Sequence, residues 1–291
     1  MSPDAATLIV TGATSGIGLE TARRLAMTAR RVVVQGPEST HDAQGALRAL
    51  SAGTAAVRYV SCDFENLSEV AAAAHTMVET AAGPVDAVIN NAAVPGALQR
   101  RVTPDGHERT LQVNYLAMVL LTEHLLPALA DGARVVNLAS ATHRMTSLDL
   151  PDIELEQDYD QVRAYARSKL AIILYTRWLA AERLADLPVT PVCLNPGVIS
   201  TSLLHAMFGA QGADVGRGAR NVISALMDDA RGGDYFDDGR LVQPSDEALD
   251  ADLGDALMSW TLDALRPYSP TTSPRPDGSS SRGSHTRPGG T

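Results

Sequence analysis

Near its start the chain passes from an apolar run, Thr7-Leu8-Ile9-Val10, into Thr11-Gly12-Ala13-Thr14-Ser15-Gly16-Ile17-Gly18 and then into a stretch of helical character. A strand, a glycine-rich turn and a helix in direct succession form a cradle. Glycines let the backbone turn tightly, and its N–H groups and the helix N-terminus face an anion, typically a pyrophosphate. The spacing here is G-x-x-x-G-x-G rather than G-x-G-x-x-G, and alone it is equally compatible with an ordinary strand-to-helix turn. The pattern of the remaining chain decides between them. Further apolar runs read as strands at 32–34, 57–60, 85–89, 134–138 and 189–194, with Ala- and Leu-rich helical stretches at 16–29, 41–51, 66–82, 104–130 and 161–186. Strict alternation means parallel strands joined by right-handed crossovers. Continuous apolar strands mean that both sheet faces are covered. The fold class is therefore α/β, Rossmann-type and doubly wound, with a mostly parallel sheet flanked by helices.

Composition narrows the partners. The net charge of −10 opposes a nucleic-acid backbone or an anionic membrane surface as partner. Neither objection touches a bound dinucleotide, which needs only local donors. No apolar stretch has the length of a membrane span, and the start of the chain lacks a basic region with an apolar signal core. The two cysteines, Cys62 and Cys193, lie in strand-like runs and read as small core residues in a reducing compartment, so a cytoplasmic protein is expected. His107 and His124 have no partners at metal-ligand spacing, and no metal is expected. From Pro267 the composition turns to Ser, Pro, Gly, Thr and Arg. We therefore expect one domain over 1–268 and a disordered tail over 269–291. The acidic stretch from Asp149 to Asp160 reads as a solvated loop. Ser245 reads as the opening of a last helix, with Asp246 and Glu247 in its first turn.

One basic residue stands apart. Of 24 Lys and Arg, only Lys169 is a lysine, four positions after Tyr165. Lys is a compact ammonium on a slim stem and Arg a broad planar fork. A position that keeps Lys in an Arg-rich chain is one where the fork fails. On a helix, positions i and i+4 share a face, so Tyr165 and Lys169 can converge on one pocket. An ammonium there stabilises a phenolate and brings a phenol, ordinarily titrating near 10, toward general acid–base use.

The glycine turn together with Tyr165-x-x-x-Lys169 resembles the classical short-chain dehydrogenase/reductase family. Four further motifs stand in that family's order: Asn90-Asn91-Ala92-Ala93, Asn114 in Val113-Asn114-Tyr115, Ser140 after Val136-Asn137-Leu138-Ala139, and Pro196-Gly197-Val198 with Thr201 beyond. The resemblance spans residues 6–265. Ser140 and Tyr165 are 25 positions apart, a spacing similar to the retinol-dehydrogenase-like branch. The resemblance implies a seven-stranded sheet and an NAD(P)-dependent oxidoreductase. It would interconvert a ketone and a secondary alcohol on a lipophilic molecule, for instance a cyclic or polyketide-like secondary metabolite.

In that scheme Tyr165 is the general acid/base, Ser140 polarises the carbonyl, Lys169 also bonds the nicotinamide ribose, and Asn114 holds a water in the proton relay. The cofactor set is Thr11, Gly12, Thr14, Ser15, Gly16, Ile17, Gly18, Asp63, Phe64, Asn91, Ala92, Ala93, Tyr165, Lys169, Pro196, Gly197, Val198 and Thr201. Asp63 would contact adenine and Thr201 the carboxamide. C=C reduction, epimerisation and nucleotide-bound regulation without turnover remain open on the same scaffold.

The chain departs from the pattern twice. Ala93 replaces a usual glycine. The end of the second strand reads Gln35-Gly36-Pro37-Glu38-Ser39, with neither the Asp that selects NAD nor the Arg that selects NADP. The missing Asp removes a barrier to NADP, and NADP is favoured over NAD, although Glu38 argues the other way. A lid is expected over Ser202–Gly218, apolar through Leu203, Leu204, Met207 and Phe208 and mobile through its glycines. His143 near the mouth reads as solvated. Apolar residues on more than one face of the stretches 104–130 and 161–186 (Leu120, Leu121, Leu125, Ile172, Ile173, Trp178) suit a homodimer or homotetramer, or burial within the chain.

Overall fold

The computed structural model describes residues 5–269. Apart from Ser269, the tail expected from residue 269 lies outside them. Strands β1 (Thr7–Val10), β2 (Arg31–Gly36), β3 (Ala56–Ser61), β4 (Val85–Asn90), β5 (Leu129–Leu138), β6 (Thr190–Asn195), β7 (Tyr235–Asp237) and β8 (Arg240–Val242) form one sheet in the order β3-β2-β1-β4-β5-β6-β7-β8. Every neighbouring pair is parallel except β7 and β8. The expected seven strands are thus eight. The extra one, β8, has three exposed residues and closes a hairpin at the sheet edge, too short to show a strand period.

Helices cover both faces. α1 (Gly16–Leu25), α2 (Gln44–Leu50) and α8 (Val215–Met227) lie on one. α3 (Leu67–Ala81), α5 (Ala117–Leu125), α6 (Gln161–Trp178) and α9 (Ala251–Leu265) lie on the other, and α7 (Ser202–Phe208) stands between β6 and α8 in the chain. β1 is buried along its whole length, as a strand covered on both faces must be. Side chains cap where the sequence offers them. Asn66 Oδ1 accepts from Ser68 N and Glu69 N at the start of α3, and Asp160 Oδ1 accepts from Val162 N and Arg163 N at the start of α6. α5 is entered through a short helix, α4 (Arg109–Leu111), and a π-turn over Gln112–Leu116.

Several expectations change. Ser245 does not open the last helix: a 3-10 turn over Glu247–Leu249 comes first, and α9 begins at Ala251 because Asp250, in extended backbone, caps it by accepting from Leu253 N. The stretch from Asp149 to Asp160 is packed, with Ile153 and Leu155 buried. Glu154 accepts from Glu108 N and pairs with His107 Nδ1 at 2.7 Å. Leu120, Leu121, Leu125, Ile172 and Ile173 are buried within this one chain, and Trp178 is half-buried. The apolarity of the five buried residues therefore needs no second copy. Cys62 and Cys193 are free and buried, and burial pushes both thiols up to about 12. No helix among the described residues is long and apolar enough to cross a membrane.

Candidate active site

The strand order reverses between β1 and β4, and a cleft of about 730 Å³ opens at the carboxyl ends of the strands beside that switch point. The glycine turn forms its floor. Gly12 and Gly16 hold φ of +60° and +54°, a left-handed backbone that side chains disfavour. A Cβ at Gly12 would lie 2.7 Å from the Ala92 Cα, and one at Gly18 would lie 2.3 Å from both Asn91 Nδ2 and Gly12 O. The turn is thus pressed against the loop after β4.

Side chains lace these two loops together. Thr11 Oγ1 accepts from Asn91 N and Ala92 N, and Asn91 Nδ2 donates to the carbonyls of Thr11 and Gly12. Buried Gln35 accepts from Gly12 N through Oε1 and donates to Cys62 O through Nε2, a brace that the sequence pattern did not single out. Ser15, the N-cap of α1, accepts no bond from the helix with its side chain. The first-turn N–H groups therefore keep their donors for an anion above them, which is the arrangement a dinucleotide pyrophosphate requires. Gly18→Ala is expected to cost about 1–3 kcal/mol of stability through overpacking and to abolish nucleotide binding, checked by thermal denaturation and fluorescence titration.

Across the cleft stand Ser140, after β5, and Tyr165 and Lys169, one turn apart on α6. Lys169 Nζ lies 5.4 Å from the centre of the Tyr165 ring and donates to Leu138 O at 2.9 Å. Both residues are buried. Burial pushes the Tyr165 phenol up to about 12, against a hydrogen bond with Ser140 that lowers it. Burial brings the Lys169 ammonium down to about 7. At neutral pH Tyr165 is therefore protonated and placed to give a proton, with Ser140 beside it.

Of the expected site residues, all line the cleft except Thr11 and Asn114. Thr11 laces loops as described. Asn114, in the π-turn, spends its amide within the protein: Oδ1 accepts from Val94 N, and Nδ2 donates to Val94 O and Ser168 Oγ. Its side chain holds the Val94 loop against α6 and does not reach the cleft. Asp63 lines the cleft and also accepts from Glu65 N, closing a turn. Thr201 Oγ1 caps α7 by accepting from Leu204 N. Ala93 is not among the residues with positive φ, so its methyl meets no backbone demand for glycine.

The segment expected as a mobile lid is more tightly built than its composition suggests. Gly209, at φ +58°, ends α7. A Cβ at Gly212 would lie 2.3 Å from Val198 O and one at Gly218 would crowd Ile17, so these two glycines serve close packing. Met207 is buried, with its sulfur accepting from Gly96 N, whereas Leu203, Leu204 and Phe208 do line the cleft. His143 is buried rather than solvated. Among the described residues no cluster of three His, Cys, Asp or Glu side chains has the arrangement to hold a metal ion.

The end of β2 holds a feature that spacing could not reveal. A Cβ on Gly36 would lie 2.7 Å from Glu38 Oε2 and 2.5 Å from Thr14 Cγ2. The Glu38 carboxylate thus fills the space an acidic side chain at 36 would take. Thr14 Oγ1 donates to Glu38 Oε1 at 3.2 Å, and Oε2 is buried without a partner. Tyr59 OH and Ser61 Oγ both donate to Glu38 O, which fixes the loop. Among the described residues, the one basic side chain besides Lys169 lining the cleft, Arg109, is paired with Glu65 at 2.5 Å.

The family model described as short chain dehydrogenase matches residues 6–211. The mouse polyprenol dehydrogenase is 39% identical over 207 residues, 67% of this chain and 60% of that protein. Bovine retinol dehydrogenase 12 is 34% identical, over 69% of this chain and 64% of its own length. A probable oxidoreductase of Streptomyces antibioticus is 31% identical over 89% of this chain and 97% of its own. A solved structure of an uncharacterised protein from Mycobacterium paratuberculosis superposes with a TM-score of 0.78 at 29% identity, covering 91% of this chain and 95% of that one. The chain thus spans 60% of the mouse and 63% of the human polyprenol dehydrogenase.

Proposed function

The chain belongs to the short-chain dehydrogenase family, and from that premise we propose that it interconverts a ketone and a secondary alcohol on a lipophilic small molecule, using a nicotinamide dinucleotide. The observation that carries this reading is the meeting of Ser140, Tyr165 and Lys169 in one cleft with an uncapped glycine-turn helix. When bound, the nucleotide supplies or accepts the hydride. The protein's own part is the proton and the orientation. Tyr165 Oη gives its proton to the substrate oxygen in reduction and takes it back in oxidation. Ser140 Oγ donates to the same oxygen and polarises it. Lys169, its ammonium anchored by Leu138 O, stabilises the phenolate that Tyr165 becomes.

The outer cleft supports the substrate class. Val94, Val198, Leu203, Leu204 and Phe208 line it, and apolar walls with few polar groups favour an apolar ligand. Relatives named for polyprenol and retinol point the same way. The free buried cysteines fit a reducing, cytoplasmic setting. Titration with NADH and NADPH by fluorescence, followed by turnover over a panel of lipophilic ketones and alcohols, tests the reading. Binding without turnover anywhere in the panel would favour a regulatory role instead.

Glu38 shifts the cofactor preference from the NADP favoured on sequence to NAD. A carboxylate fixed at the end of β2 opposes the charge of a 2′-phosphate, and among the described residues no unpaired Arg lining the cleft answers it. Glu38→Ala is expected to move the ratio of NAD to NADP affinities toward NADP by about 10-fold or more, equivalent to about 1.4 kcal/mol. An unchanged ratio would remove Glu38 from the selection.

A further inference from the structure

We propose that His143 is a positioning residue for Ser140, clamping the serine's turn to the C-terminal segment at Ser245. The proposal rests on the function just argued for Ser140. One end of the clamp, Ser245, lies beyond the family-model match, which ends at residue 211.

After β5 the chain passes through Ser140 into a 3-10 turn, Ala141–Met145. His143, at 0% exposure, closes that turn. Its backbone N and its ring Nδ1 both lie on Ser140 O, at 3.2 and 2.7 Å. Its other ring nitrogen, Nε2, faces Ser245 N at 3.1 Å. A carbonyl oxygen only accepts and a backbone N–H only donates. Nδ1 therefore carries the proton, Nε2 is bare, and the ring is a neutral imidazole in a single tautomer.

Two more bonds tie the same segments: Arg144 Nη2 donates to Gln243 O at 2.6 Å, and Leu148 N donates to Glu247 Oε1 at 2.7 Å. The Tyr235 ring packs edge-on to the imidazole, 5.2 Å between centres. The Ser140 carbonyl thus takes its orientation from a ring anchored at both nitrogens, while Ser140 Oγ accepts from Thr142 N within the same turn. A shift of the ring moves the residue that must meet the substrate oxygen.

Charge matters here. Protonation at Nε2 would set two N–H groups against each other at Ser245. Burial disfavours the imidazolium, the bond to Ser140 O favours it, and of the charged neighbours Arg144 disfavours it and Asp237 on β7 favours it; burial prevails and holds His143 below its usual value. Because the folded value is the lower one, the unfolded chain takes up the proton first as pH falls. The clamp's contribution is whole above about 6.5 and is lost as pH drops from there through the depressed folded value.

Two substitutions separate positioning from mere packing. In His143→Asn the amide nitrogen falls near the Nδ1 position and keeps the donor to Ser140 O but not the acceptor for Ser245 N. In His143→Gln the amide oxygen reaches the Nε2 position and keeps the acceptor but not the donor. The expected result is a kcat about 10-fold or more lower for Gln than for Asn, since small displacements near reacting groups cost up to about 100-fold. The KM for nucleotide should be alike in the two. Loss of stability below pH 6.5 should be weaker in both variants than in the natural chain. Equal kcat losses, or losses that follow only the fall in Tm, would overturn the proposal.

A readout independent of folding variants is the 15N NMR signature of His143 in the natural protein. A protonated Nδ1 and bare Nε2 at neutral pH are expected; a protonated Nε2 overturns the clamp. A natural chain that turns over no carbonyl or alcohol sinks the functional reading and the positioning role with it, even with the expected tautomer, so the two failures are told apart.

Discussion

Tyr165→Phe is expected to lower kcat by roughly 10²–10⁴-fold, the usual weight of a positioned general acid or base, while nucleotide affinity stays close to that of the natural protein. The reasoning is geometric. The ring, carried by α6, is buried at the cleft, and Phe keeps that packing. Only the hydroxyl leaves, and with it the bond to Ser140 and the proton that the substrate oxygen needs. Thermal stability should change little, since one hydrogen bond contributes about 0.5–1.5 kcal/mol. Steady-state kinetics with a reduced nucleotide and a lipophilic ketone, beside a fluorescence titration, checks both halves. Turnover that survived the change would assign the proton to another group.

The second large effect concerns Lys169. The residue is 2% exposed, and its ammonium donates to Leu138 O, with no carboxylate among the described residues paired to it. Lys169→Met keeps the volume and removes a buried charge that lacks a counter-ion. Activity should fall by about 100-fold or more, because the phenolate loses its cation. Stability should behave quite differently.

The folded ammonium titrates at about 7, below its ordinary 10.5, so between those values the unfolded chain holds more protons than the folded one. The natural protein should therefore gain stability as pH rises from 7 to 10.5 and lose it again as pH falls back toward 7. Lys169→Met should lack that slope, and the two melting curves should converge at the alkaline end. Lys169→Arg inserts a broad fork that does not lose its proton, into a space that admits a slim stem. It should lose both stability and turnover. A fully active Arg variant would make the lone lysine of this Arg-rich chain an accident.

Much of the framework is legible in the sequence because it depends on local pattern. Apolar runs separated by helical stretches indicate a parallel sheet whichever way the loops run. The glycine turn states its own geometry, and Tyr165 and Lys169 share a face by helix pitch alone. The features that sequence reasoning misses depend on distant partners. Gln35 looks like any strand residue until β1, β2 and β3 lie side by side and it bridges Gly12 to Cys62.

Glu38 already argues against NADP in the sequence, but only the fold shows its carboxylate lying over Gly36, where no side chain competes. His143 reads as solvated because its partner, Ser245, is 102 residues away. The three-residue β8 is shorter than any apolar period can announce. Asn114 holds its expected place in the motif order. Its contacts show that the side chain serves the Val94 loop, a distinction that motif order cannot make.

The most direct measurement is oxidation of NADH by the natural protein in the presence of lipophilic ketones, followed as loss of reduced-nicotinamide absorbance, with alcohol product quantified from the same reaction. Consumption matched one for one by alcohol, faster with NADH than with NADPH and abolished by Tyr165→Phe, is the expected result. Tight nucleotide binding with no alcohol formed from any ketone, and no ketone from any alcohol in the reverse assay, would contradict it.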